Sequence, residues 1–142
     1  MPSPTEHARD SRHGTEVLRE LSPQHRELRR VIPDAYKGFG ELSKAAFAPG
    51  ALDRKTKELI ALAIGVVEGC DGCIASHGRA AAHAGATRAE AAEAIGVTFL
   101  MGGGPATIHG ARAYDTFCEF ADALDAHRRT HNTAASVVDS PR

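Results

Sequence analysis

Two of the chain's three cysteines fall in the stretch Glu68-Gly69-Cys70-Asp71-Gly72-Cys73-Ile74-Ala75-Ser76-His77. Thiols at this spacing can close reversibly into a disulfide, hold a metal ion, or fill apolar space as small hydrophobes. On a helix, residues three and four apart are neighbours, so Cys70, Cys73 and His77 share one face. Gly69 ends the preceding helix and leaves Cys70 at the start of the next. There the unpaired N–H groups and the positive end of the helix dipole favour thiolate over thiol. A polar Asp-Gly between the cysteines and a histidine one turn on argue against two inert buried thiols.

Zinc is the main competitor. Cys70, Cys73 and His77 supply three ligands where a structural site closes with four. No second Cys-x-x-Cys completes the set; His109 or Glu58 would have to serve. Cys118 lies between Phe117 and Phe120 and reads as a core residue.

Glu58 gains meaning from geometry. In one continuous helix it would stand about 18 Å from Cys70. If Gly69 reverses the chain into an antiparallel hairpin, Glu58 lies roughly 15 Å from the turn, His77 about 10 Å and Cys73 about 4–5 Å. Thiols, base and acid then file along one groove. Glu58 opens an apolar run in which burial would raise its pKa and let it pass protons. The plainer alternative is a solvated carboxylate paired with Arg54 or Lys55.

The elements that must position these residues read as helical throughout. Ser22-Pro23 suits an N-cap with proline in the first turn. Pro33 restarts a helix toward Phe47, and Pro49-Gly50 turns the chain. Asp53 caps a helix ending at Gly69, and a further one runs from about Asp71 to Ala84, with Gly85 suited to the left-handed position beyond it. Thr87 with Glu90 forms a capping box. Gly102-Gly103-Gly104-Pro105 breaks that helix and starts another, from Ala106 to about His127; without a preceding strand or a Gly-Lys-Ser/Thr ending, the triple glycine is no phosphate loop. Alanine is abundant and β-branched residues are sparse, so the expectation is an all-α domain of five to six helices over residues 15–127. Residues 1–14 and 128–142 are polar and read as flexible flanks.

Composition narrows the function. The 142 residues fit one domain with a real core, and the formal charge of −1 offers nothing to nucleic acid or an anionic membrane. Aromatics are 5% with no tryptophan, which disfavours base stacking. The longest apolar run, Leu59 to Val67, is too short to span a bilayer. With no charged-then-apolar leader and too few cysteines for a secreted framework, a cytoplasmic protein is expected.

Lys57-Glu58-Leu59-Ile60-Ala61-Leu62-Ala63, followed by Cys70-x-x-Cys73-x-x-x-His77, resembles the alkylhydroperoxidase D-like branch of the carboxymuconolactone decarboxylase superfamily, over about Pro33 to Phe120. The resemblance implies an all-α fold assembling as a homotrimer or homohexamer, with thiol-dependent peroxidase or disulfide oxidoreductase activity. Cys73 would meet a hydroperoxide or disulfide substrate, Cys70 would resolve it, and His77 and Glu58 would relay protons. No bound cofactor is implied, only an external dithiol reductant, lipoyl-bearing or thioredoxin-like. The helix start favours Cys70 as the more acidic thiol, whereas His77, one turn from Cys73, favours Cys73 as nucleophile, and Cys73 is expected to take that role. The sequence departs from the branch at Gly72, where its best-studied members resemble Cys-x-His-Cys. The superfamily's lactone decarboxylases typically lack the cysteine pair. On the family's pattern His109 would line a substrate cavity; by itself, with no identifiable partner, it reads rather as a surface or core histidine.

Overall fold

The computed structural model describes residues 13–138, the last six as backbone only. Of the flanks expected to be flexible, residues 1–12 and 139–142 lie outside the described residues. The described chain is all helix, with no strand: α1 (His13–Val31), α2 (Pro33–Phe47), α3 (Arg54–Glu68), α4 (Asp71–His83) and α5 (Arg88–Val138). None of these helices is long and apolar enough to cross a membrane.

Short-range chemistry sets most boundaries. Asp53 accepts a hydrogen bond from the Thr56 N–H at 2.8 Å and opens α3. Gly69 closes it in the left-handed region at φ 64°, its N–H bonded back to α3 carbonyls. Gly85, at φ 89°, turns the chain after α4. The capping box before α5 is reciprocal: the Thr87 N–H donates to Glu90 at 2.8 Å and the Glu90 N–H to Thr87 Oγ1 at 3.1 Å. Within α5 the helical path breaks at Gly103 (φ 64°, ψ −149°), a conformation open essentially to glycine alone.

Two expected boundaries differ. Ser22-Pro23 does not begin a helix; Pro23 lies inside α1, which starts no later than His13. The local signal is overruled by a long-range anchor. The Glu119 carboxylate accepts from the Gly14 and Thr15 N–H groups at 2.9 and 3.1 Å, while Gly14 is buried against Thr116 and Phe120. Pro23 is on an exposed stretch, where the lost backbone bond is tolerated. The last helix also continues past His127, to Val138.

Two apolar clusters hold α3, α4 and α5 together. Leu62, Val66, Ile74, Ile95, Ala106 and Ala113 form one; Phe117, Phe120 and the alanines Ala81, Ala82, Ala91 and Ala121 form the other. Leu62, Val66 and Phe117 are fully buried, and each large side chain so enclosed contributes about 1.5–3 kcal/mol. Small residues let the helices close in: a Cβ added at Gly65 would stand 3.2 Å from Cys73 Cβ. That contact fixes the register of α3 against the start of α4.

A candidate thiol redox site at the α3–α4 turn

Gly69 does reverse the chain, and the hairpin gathers the four residues singled out from the sequence. The Cys70 and Cys73 sulfurs lie at disulfide distance, with Cα atoms 5.2 Å apart. Cys70 is the N-cap of α4, and its sulfur accepts the Cys73 N–H at 3.2 Å. The helix N-terminus is therefore aimed at Cys70 Sγ, an arrangement that steadies negative charge there whenever the bond is open. Cys73, most of a turn on, is exposed, whereas Cys70 is half-buried. The sulfur at the helix start and the more accessible one are therefore different.

One turn beyond Cys73, His77 Nδ1 lies 2.8 Å from Glu58 Oε2 across the hairpin. Glu58 is only 1% exposed. Its other oxygen accepts from Arg54 Nε and a terminal guanidinium nitrogen, each at 2.8 Å. Both sequence readings of Glu58 thus hold at once: it pairs with Arg54 and also reaches His77. Lys55, the other suggested partner, bonds Glu90 instead, at 2.7 Å. A buried carboxylate with a guanidinium on one oxygen and an imidazole on the other is fully satisfied, and its bond to His77 fixes which ring nitrogen faces away from it.

Phe47, the last residue of α2, completes this cluster. Its ring stacks on His77, with centroids 5.6 Å apart, and the Arg54 guanidinium lies 5.0 Å from its centroid on the other contact. Nothing short-range in the sequence couples residue 47 to residue 77. The only available signal was an aromatic at a helix end, just before a Pro-Gly turn.

Gly72 is accounted for by its surroundings: a Cβ there would meet Leu21 Cδ1 of α1 at 2.8 Å. Leu21 occupies the space beside the cysteine pair that a side chain at 72 would need. Cys118 is half-buried beside the second apolar cluster, as its neighbours suggested, and burial pushes its thiol up; it shares a hydrogen bond with Tyr114. His109 sits with its ring against Gly69. Among the described residues no group of three or more His, Cys, Asp and Glu side chains is arranged to hold a metal. Sequence reasoning overlooked one histidine pair, His127 and His131 on the exposed end of α5, with ring centroids 4.3 Å apart.

The sequence profile of the carboxymuconolactone decarboxylase family matches residues 33–116, more than half the chain. The chain belongs to that family. A family member from Legionella pneumophila is similar in structure, with TM-score 0.76 and 39% identity, over 78% of this chain and 99% of that one. Another, from Thermotoga maritima and described in connection with an antioxidative response, has TM-score 0.56 and 33% identity over 68% of this chain and 95% of its own. An uncharacterized protein of Cupriavidus necator is 38% identical over 109 residues, covering 77% of this chain and 93% of the relative. These relationships support an alkylhydroperoxidase D-like member of the family, the resemblance drawn from the cysteine motif.

Proposed function

We propose that this chain is a thiol-dependent peroxidase and disulfide oxidoreductase, using Cys70 and Cys73 to reduce alkyl hydroperoxides. The observation that carries the reading is the pairing of two sulfurs at bonding distance with a Glu58–His77 dyad on the same hairpin.

With the pair reduced, His77 takes the Cys73 proton, and the exposed thiolate attacks the distal oxygen of the hydroperoxide. An S–O bond forms as the O–O bond breaks, and the alkoxide leaves as alcohol with the proton His77 returns. Cys70 Sγ then attacks the Cys73 sulfenic acid; the S–S bond forms, the S–O bond breaks, and water departs. Glu58, buried and pinned by Arg54, holds the His77 ring and balances the charge it gains. An external dithiol returns the two electrons by attacking the exposed Cys73 sulfur. A lipoyl group or a thioredoxin-like protein has the required chemistry, a cytoplasmic setting would keep such donors reduced, and no bound cofactor is needed.

Gly72 makes this site poorer in proton carriers than the Cys-x-His-Cys pattern, so a disulfide substrate, which asks less proton transfer of the Cys73 side, fits the same machinery. Self-association as a homotrimer or homohexamer is part of the proposal. It is supported by large apolar side chains left in solvent, among them Leu100 (84% exposed), Met101 (75%) and Ile64 (57%).

The test is consumption of an organic hydroperoxide by reduced protein, with free thiols counted. Two thiols should disappear per chain, and Cys73→Ser should fall to the uncatalysed background. If that variant destroys peroxide as fast as the parent, the mechanism is wrong. A stoichiometric zinc ion in protein purified without added metal would favour a binding module instead. Thiol probes that label reduced Cys73 no faster than Cys118 would favour an inert scaffold.

A further inference from the structure

His109 has no part in the cycle above, yet its placement is unusual. The helical path of α5 breaks at Gly103, just after Gly102 packs against the end of α3, where a Cβ at Gly102 would stand 3.6 Å from Val67. About two turns beyond Gly102 the His109 imidazole packs against Gly69, where a Cβ would meet its Nε2 at 3.0 Å and two ring carbons at 3.3 and 3.5 Å. Gly69 is thus required twice, for its left-handed φ and for the room it leaves this ring. His109 Nδ1 is buried and has no hydrogen-bond partner among the described residues. A buried imidazole nitrogen left unpaired is costly in a purely packing role and calls for a ligand, a water or a transient partner.

The next residue along the chain is Cys70. Its sulfur can lie no more than about 6–7 Å from the Gly69 Cα that the ring covers, so the ring packs on the residue that carries the half-buried thiol of the pair. His77 serves the Cys73 side of the pair, its Nδ1 held by Glu58, and position 72 is a glycine beneath Leu21. We propose that His109 is the proton donor to Cys70 in the reductive half of the cycle, a role that rests on the oxidoreductase reading above.

A dithiol, as thiolate, attacks Cys73 Sγ; the new S–S bond joins reductant to Cys73, the Cys70–Cys73 bond breaks, and its electron pair leaves on Cys70 Sγ. His109, as imidazolium, gives that sulfur a proton. The reductant's second thiolate then displaces Cys73 and closes the reductant's own disulfide, so the dithiol is oxidised by two electrons and the protein pair reduced. The neutral imidazole recovers its proton from solvent. Opposite a helix N-terminus that stabilises the leaving thiolate, the imidazolium completes a leaving group suited to fast opening.

The experiment follows opening of the oxidised pair by dithiothreitol from pH 5.5 to 8.5, with rates expressed per unit of attacking thiolate. In the parent that rate should climb as pH falls, because an imidazolium is a stronger proton donor than a neutral imidazole. His109→Phe keeps a ring over Gly69 without the proton; it should slow opening on the order of 10–100-fold at the acid end and flatten the profile. His109→Gln, a donor that does not titrate, should recover part of the rate and remain flat. Consumption of peroxide by pre-reduced protein in a single turnover should change little in either variant. A parent that cycles while both variants match its rate and profile overturns the His109 role and leaves the oxidoreductase reading standing. A parent whose Cys70 and Cys73 never bridge removes both.

Discussion

The α3–α4 hairpin and the α1–α2 pair are both two helices joined by a short connection, but they treat their apolar residues in opposite ways. Along α3, Leu62 and Val66 are fully enclosed, and α4 buries Ile74, Ala75, Ala81 and Ala82. In α2 no residue is buried, and Phe39 and Leu42 are 70% and 63% exposed. The second half of α1, from Ser22 to Val31, is exposed throughout. The proposed redox chemistry is therefore set on the part of the chain that packing encloses, where thiols, imidazole and carboxylate keep their spacing without cost to the rest of the fold. The α1–α2 pair reaches that chemistry at two points, Leu21 over Gly72 and Phe47 on His77. Its remaining apolar face is free to meet another surface.

The largest effect expected from this contrast is at Glu58. Glu58→Ala strands His77 and Arg54 around a vacated buried site. Peroxide consumption should fall on the order of 10²-fold or more. Stability should drop by about 2–4 kcal/mol, the lower side of a broken buried pair because Arg54 opens to solvent. Stopped-flow peroxide assays and denaturant melts measure the two losses separately.

The core and the arm can then be set against each other directly. Phe117→Ala should cost about 3–5 kcal/mol in chemical denaturation. Phe39→Ala should cost within about 0.5 kcal/mol under conditions where the protein is monomeric, and should shift the sedimentation profile if α2 covers another copy. Equal destabilisation by the two would mean the arm is packed in a way its exposure does not reflect.

A smaller change is expected at the junction. Phe47→Ala removes the ring between Arg54 and His77 but leaves the Glu58 bonds in place. Activity should fall by roughly three- to tenfold, the effect of a loosened rather than missing proton carrier. Phe47→Tyr should restore most of it. The folded baseline should scarcely move.

The smallest effect lies at the helix starts. Hydrogen bonding and charge from Lys55 hold the Glu90 carboxyl below its usual range, and the Thr56 hydroxyl and N–H do the same for Asp53. Because these folded-state values are depressed, the stability they lend is present above the ordinary carboxylate range and is lost as pH falls through and below it. A slight acid-side decline in melting temperature should follow, reduced in Glu90→Gln, with both groups largely solvent-screened.

What the sequence disclosed divides along the same line. Asp53, Gly69, Gly85, Thr87 with Glu90, and the glycines before Pro105 act within about four residues of themselves, so their turns and caps could be read from order alone. The hairpin that brings Glu58 to His77 followed from one glycine and helix geometry. Pro23 misled because its local meaning was set aside by Glu119, more than a hundred residues away. Phe47, and the place of His109 against Gly69, were hidden for a related reason: one depends on where α2 ends in space, the other on how the chain runs past Gly103. Arg54 was visible but offered as an alternative to His77, when a two-oxygen carboxylate accommodates both.

The proposed chemistry requires Cys70 and Cys73 to form one reversible two-electron couple. Its most direct test equilibrates the protein in graded ratios of reduced to oxidised dithiothreitol and reads each sample by mass spectrometry after trapping free thiols. The prediction is a single transition in which Cys70 and Cys73 lose their label together, fully reversed by excess dithiol and abolished in Cys70→Ser, with Cys118 labelled throughout. Independent labelling of the two cysteines, or a pair that stays reduced at every ratio, would contradict it.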